Sequence, residues 1–334
     1  MMDIGVIGAG SWGTTLANLL AKKGHAVTLW VYEADLAERI NATRVNDLYL
    51  EGFSLAPNLT VTPNLAAAAT GRQLLLLVSP SQVMRRVLAD LRPHLDNNCL
   101  LVSAAKGIEN ETLLTMSEVI TDVLGGNAAQ RSAFLSGPSF AREVAAEQPT
   151  AVAVAATVAA VARQAQAVFS TDYFRVYTNR DVIGVEIGGA LKNVIALAAG
   201  VGDGLGFNHN ARAALITRGL VEIARLGIAK GASEATFSGL AGMGDLVLTC
   251  TGDLSRNRSV GIELGRGRKR DDILNRMHMV AEGVKTTESA YQLAQKLGVD
   301  MPITEQMYQI LYEDKDPKRA VVDLMQRALT AEDQ

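Results

Sequence analysis

Cysteine is almost missing from this 334-residue sequence. There are two, Cys99 and Cys250, and they lie far apart. Such spacing offers neither a disulfide framework nor a thiolate metal site, and it suits a reducing compartment. Histidine is nearly as scarce. Four are scattered without metal-ligand spacing, so no bound metal is expected. No charge of one sign accumulates. The net charge is −3, which gives no footprint for nucleic acid or another polyanion. The one basic cluster, Arg266-Gly-Arg-Lys-Arg270, is short and reads as a solvated turn. The apolar stretch AVAVAATVAAVA (151–162) is too short to span a bilayer, so no stable membrane insertion is expected. The beginning, MMDIGVIGAGSWG, has no basic region ahead of its glycines. It reads as a strand and turn rather than a signal peptide, and a cytoplasmic location is expected.

What remains is an ordinary globular composition, 48% hydrophobic and 20% charged, with enough length for about two domains. The first half alternates apolar strands with helices. "DIGVIG", "HAVTLWV", "RQLLLLVSP", "NCLLVSAAKG", "RSAFLSGPS" and "TAVAVAA" read as strands. "WGTTLANLLAKKG", "EADLAERINATR" and "SQVMRRVLADLRPHL" carry apolar residues at helical spacing between them. This alternation implies a parallel sheet covered on both faces. After about residue 180 strands nearly disappear and long helices take over.

Gly8-Ala-Gly10-Ser11-Trp12-Gly13 is a G-x-G-x-x-G loop between the first strand and the first helix. In that context Gly8 permits the turn, Gly10 admits a pyrophosphate, and Gly13 lets helix and strand pack closely. The helix N-terminus would face the phosphates with free N–H groups. The expected fold is therefore α/β: an N-terminal Rossmann-type doubly wound sheet (1–182) followed by an all-helical C-terminal domain (183–334). A dinucleotide ligand makes hydride transfer the leading chemistry. Glu33, after the second strand, is placed to accept from a ribose 2′-hydroxyl, with Asp35 as the fallback.

The second half carries polar groups in unlikely surroundings. Lys192 is the only charge between Ile187 and Gly202. Its long stem could snorkel to water, or its ammonium could be kept dry for chemistry. Gly188 and Gly189, one turn earlier, would leave room for a ligand to approach. Lys106 and Ser136-Gly137-Pro138-Ser139 end strands, where α/β sheets bind ligands. Asp245 follows two glycines of "GMGDLVLTC" and reads as a site residue or a helix cap. "SRNRS" (255–259) offers two guanidinium forks suited to a phosphate, or it is a polar turn.

Taken in order, GAGSWGT, AAKGIE, SGPSF, GVEIGGALKNVIALAAG, NARAALITRG, GLAGMGDLVLTCTGDLSRNRSVG and MPIT resemble the bacterial type of NAD(P)-dependent glycerol-3-phosphate dehydrogenase. The resemblance covers nearly the whole chain. It implies interconversion of dihydroxyacetone phosphate and sn-glycerol 3-phosphate with NAD(H) or NADP(H), supplying glycerol 3-phosphate for phospholipid synthesis. It implies Lys192 as the catalytic lysine, donating or accepting the proton at the substrate oxygen. Lys106, Gly137, Ser139, Asp245, Ser255, Arg256 and Asn257 would contact substrate. Ser11, Trp12, Tyr32, Tyr49, Lys106, Ala141, Arg256, Val280 and Glu282 would contact cofactor, beside the glycines and Glu33. The chain departs from the family pattern in two places. It has Tyr32-Glu33 where arginine or histidine is common, and Tyr49-Leu-Glu51 where Y-L-P is frequent. Two acids and no base follow the second strand, so a preference for NADH is expected. A homodimer contact is expected in the helical domain. The competing readings are a 3-hydroxyisobutyrate or 6-phosphogluconate dehydrogenase relative, and a non-catalytic dinucleotide sensor.

Overall fold

The computed structural model describes residues 1–277, 281–329 and 331–332. Eight strands form one sheet: β1 (Asp3–Ile7), β2 (Ala26–Trp30), β3 (Leu59–Thr62), β4 (Leu74–Leu77), β5 (Leu100–Ser103), β6 (Ser132–Ser136), β7 (Thr150–Ala155) and β8 (Phe174–Asn179). Their spatial order is β3-β2-β1-β4-β5-β6-β7-β8. All pairs are parallel except β6–β7. The first six strands thus have the doubly wound order, with the direction of winding reversing between β1 and β4.

Burial explains the strands' composition. Each β4 residue, Leu74 to Leu77, is fully buried, because helices cover both faces of the central sheet. On one face Leu16 and Leu20 of helix Ser11–Lys22 pack with Phe169 and Phe174. On the other, Met84 and Leu88 of helix Met84–Leu91 pack with Val119 and Ile120. The expectation of a parallel sheet therefore needs two amendments. β7 runs against β6, and two strands without a strong apolar run, β3 and β8, sit at the edges.

The chain is helical from residue 182 onward. Helix Val182–Gly204 is the axis of this half, and it packs against helices His209–Ala229, Asp245–Thr251, Arg256–Gly265 and Glu282–Leu297. It is long and apolar enough to cross a membrane, but 89% of its most apolar window is buried inside the protein. Its crossing with Arg256–Gly265 is unusually close. A Cβ on Gly200 would overlap the Arg258 carbonyl, and one on Gly261 would overlap that of Leu197. That contact brings the start of the Arg256 helix beside the sheet's C-terminal edge.

Candidate active site

A cleft of about 790 Å³ runs along the C-terminal ends of the central strands and on to the helical half. One end is the glycine loop. Gly8, Gly10, Ser11, Trp12 and Gly13 line it. Gly10 is the N-cap of helix Ser11–Lys22 and supplies no capping side chain, so the first-turn N–H groups are left for a ligand. A Cβ on Gly10 would meet nothing within 4 Å, because that side is open cleft. A Cβ on Gly13 would overlap the Gly8 carbonyl, which is the close packing the loop requires. These features fit a dinucleotide pyrophosphate.

Tyr32, Glu33 and Tyr49 line the same end. Tyr32 is 72% exposed. The Tyr49 hydroxyl donates to Glu33 Oε1 at 2.8 Å. Burial, and then the Glu33 carboxylate, push the Tyr49 phenol up to about 12.

At the other end lies the polar cluster. Lys192 is buried, and its ammonium donates to Asp245 Oδ1 and to Thr249 Oγ1, the latter at 2.9 Å. It therefore does not snorkel. Lys106 Nζ donates to the other oxygen, Asp245 Oδ2, at 2.6 Å, and to the Gly137 carbonyl at 3.3 Å. An ammonium has three N–H donors, so each lysine keeps one for the cleft. Burial lowers Lys192 to about 8; Asp245 opposes the shift and Lys106 adds to it. Burial would raise Asp245, but Lys106 and Lys192 outweigh it and hold the carboxyl below its usual range.

The helix starting at Arg256 completes the site. Ser255 is its N-cap, accepting from the Arg258 N–H at 3.2 Å. Asn257 Oδ1 accepts from the Gly283 N–H at 3.0 Å, tying this helix to Glu282–Leu297. The two arginines of "SRNRS" part company. Arg258 is spent on Asp203, at 2.7 Å, and on Asp253, at 3.0 Å. Arg256 lines the cleft and makes no hydrogen bond or ion pair with a described residue. Burial lowers its pKa and Glu282 opposes that; burial likewise raises the Glu282 carboxyl, against Arg256.

Ser139, Ala141, Ser255, Asn257 and Glu282 also line the cleft. Gly137 and Asp245 do not; both stand behind Lys106, and Asp245 also behind Lys192. Asp245 is fully buried in the first turn of its helix, and its side chain bridges the lysines rather than capping. Asp35 is away from the cleft, held by Arg39 at 2.6 Å. Val280 falls outside the described residues. The expected role of Gly188 and Gly189 is corrected. A Cβ on Gly188 would crowd the Ala241 carbonyl and one on Gly189 the Ser136 hydroxyl, so Gly188 serves packing against the helical segment Leu240–Gly244, Gly189 serves helix–sheet packing, and neither lines the cleft.

The family model described as NAD-dependent glycerol-3-phosphate dehydrogenase N-terminus matches residues 3–162, and its C-terminal counterpart matches 181–322. The NAD(P)+ glycerol-3-phosphate dehydrogenase of Syntrophotalea carbinolica is 65% identical over 331 residues, 99% of each chain. The chain belongs to the NAD-dependent glycerol-3-phosphate dehydrogenase family. The Geobacter sulfurreducens NAD(P)+ glycerol-3-phosphate dehydrogenase is 64% identical over 329 residues, 98% of each chain. Among solved structures, glycerol-3-phosphate dehydrogenase from Coxiella burnetii is 41% identical, with a TM-score of 0.94 covering 98% of this chain and 99% of that one. The resemblance read from the motifs is thus the family found, and the chain is an NAD(P)-dependent oxidoreductase of it.

Sequence reasoning passed over Asn193, Thr249 and Arg86, which all line the cleft of this glycerol-3-phosphate dehydrogenase family member. Thr249 had a signal: it stands four residues after Asp245, hence on the same helix face. Asn193 adjoins Lys192. Arg86 had none, because only the tertiary fold brings it to the same cleft as the residues after the second strand.

Proposed function

We propose that this protein interconverts dihydroxyacetone phosphate and sn-glycerol 3-phosphate. One observation carries the reading: a buried lysine with one free N–H stands in the same cleft as an unpaired arginine and a glycine loop. A bound nicotinamide dinucleotide supplies or takes the hydride. Gly8, Gly10, Ser11, Trp12 and Gly13 would hold its pyrophosphate, Tyr32, Glu33 and Tyr49 its adenosine end, and Ala141 and Glu282 would complete its contacts. Arg256, with Ser255 and Asn257, grips the substrate phosphate by charge-assisted hydrogen bonds and also adjoins the cofactor. Ser139 and the Gly137 loop orient the three-carbon chain, and Lys106 neighbours both ligands. Lys192 gives its proton to the carbonyl oxygen as charge builds there, or accepts it from the hydroxyl in the reverse direction. Asp245 fixes both ammoniums while leaving their free N–H groups for the cleft.

Glu33 favours the free 2′-hydroxyl, so NADH is preferred while NADPH is accepted. The reading divides the chain into a dinucleotide domain (1–182) and a substrate domain (183–334). It also includes a cytoplasmic location, a homodimer through the helical domain and a role in supplying glycerol 3-phosphate for phospholipid synthesis. The test is turnover of dihydroxyacetone phosphate with NADH and with NADPH, in wild type and Lys192→Ala. We expect the variant to bind cofactor and to lose about 10²–10⁴-fold in kcat. Normal kcat in the variant would remove Lys192 from its role, and absence of wild-type turnover would overturn the reading.

A further inference from the structure

The adenosine end of the cleft poses a charge problem that the second strand does not solve. Glu33, the acid assigned above to the ribose, lines the cleft and accepts from Tyr49. Arg39, the nearest basic residue after β2, is exposed and held between two carboxylates, Asp35 at 2.6 Å and Asp47 at 3.0 Å. Its charge is answered before any ligand arrives. Helix Met84–Leu91 also gives residues to this cleft, Arg86, Val87 and Asp90. It carries two successive arginines with different fates. Arg85 is bound to Glu109 at 2.9 Å and to Asp122 at 2.5 Å, away from the cleft. Arg86 lines the cleft with Tyr32 and Glu33, and it makes no hydrogen bond or ion pair with any described residue.

Arg86 is exposed, but unlike Arg39 its charge is not answered, and an unpaired guanidinium on the lining of a ligand cleft is suited to take an anion. On the dinucleotide reading above, the pyrophosphate goes to the glycine loop and the helix N-terminus. One other anion exists in this cofactor class, the 2′-phosphate of the NADPH form. We propose that Arg86 receives that 2′-phosphate within the cleft, and that this allows one site to take both cofactors. The relatives named for NAD(P)+ share nearly the whole chain with it, yet the β2 end here offers two acids and no base. Arg86 is the cation that closes this gap. Glu33 and Asp90 oppose the same phosphate, which keeps the contribution moderate and NADH ahead.

The test needs no chemistry. Calorimetric titration of the cofactor-free protein compares 2′,5′-ADP with 5′-AMP, and NADP+ with NAD+, in wild type, Arg86→Ala and Arg86→Lys. Losing a charge-assisted contact predicts that Arg86→Ala weakens 2′,5′-ADP and NADP+ by roughly ten- to a hundred-fold. Binding of 5′-AMP and NAD+ holds, which also shows that the variant is folded. Arg86→Lys recovers part of the loss, since it keeps the charge without the fork. Equal weakening of 5′-AMP and 2′,5′-ADP would overturn the assignment and make Arg86 a support for adenine. No change in either would leave it facing solvent and also overturn it. A wild type that binds neither NAD+ nor NADP+ fails at the dinucleotide reading instead.

Discussion

A charge buried in an apolar helix must be answered by a partner or it will not stay charged. The solitary position of Lys192 was visible in the sequence, and so was the glycine loop. Asp245, 53 residues further on, reads locally as a site residue or a helix cap, and it becomes the lysine's expected anchor only once the family resemblance is drawn. Composition alone does not tell Arg256 from Arg258; the resemblance names Arg256, and the pairing of Arg258 with Asp203 shows why Arg258 is not free for the cleft. One carboxylate answering two ammoniums has a consequence for pH. On the proposed mechanism Lys192, at about 8, donates its proton in the reducing direction, so kcat/KM for ketone reduction should fall as pH rises through about 8. Oxidation needs the free amine and should rise over the same interval. Asp245→Asn removes the attraction that holds the proton and leaves Lys106 as an unshielded neighbour, so the midpoint should move to lower pH. Rate profiles in both directions check this. An unmoved midpoint would assign that limb to another group.

At the scale of elements, the central strands and helices Ser11–Lys22, Ala34–Thr43 and Met84–Leu91 were legible because burial leaves apolar runs between glycine and polar breaks. β3 and β8 were not. Only alternate residues of β8 are buried along most of its length, as an edge strand's position dictates, and its pattern merges with that of a loop. The reversed direction of β7 leaves no periodic trace at all. The MPIT segment shows the opposite case, a motif whose reason is structural. The buried Glu222 carboxylate accepts from the Ile303 N–H at 2.5 Å and from the Thr304 N–H and hydroxyl at 3.1 Å, holding the start of helix Pro302–Tyr312. Burial raises Glu222 from 4.5 to about 7, and those hydrogen bonds restrain the shift. Between these values the folded chain keeps the proton and the unfolded chain has lost it, so this group's contribution to stability declines as pH rises through the window. Glu222→Gln cannot titrate, and its amide offers one acceptor oxygen where the carboxylate offers two. Leaving an N–H unpaired costs about 1–3 kcal/mol. The deficit of the variant against wild type should be larger below that window than above it. Urea unfolding on either side of the window measures it, and an equal deficit at both would mean that Glu222 titrates as an ordinary carboxylate.

Over the whole molecule, the cleft takes its groups from both ends of the chain's organisation. Lys106 and Ser139 come from the sheet's edge, and Lys192, Arg256 and Glu282 from the helices. A ligand that touches both sets stabilises the assembled chain by mass action, about 2.7 kcal/mol at a hundredfold excess over its dissociation constant. For domains of this size each kcal/mol raises Tm by roughly 2–4 °C. Saturating NAD+ should therefore raise the melting temperature by several degrees, and glycerol 3-phosphate added on top should raise it again. The second increment depends on the phosphate grip. Arg256 makes no hydrogen bond or ion pair with a described residue and loses only the attraction of Glu282, so Arg256→Ala should change the ligand-free melting temperature little and still respond to saturating NAD+. It should lose most of the response to glycerol 3-phosphate, while unphosphorylated glycerol at the same concentration adds nothing in either protein. Thermal melts of wild type and variant with each ligand decide the matter. If the variant keeps the full glycerol 3-phosphate increment, the phosphate is held elsewhere, and Arg258 would have to leave Asp203 to hold it.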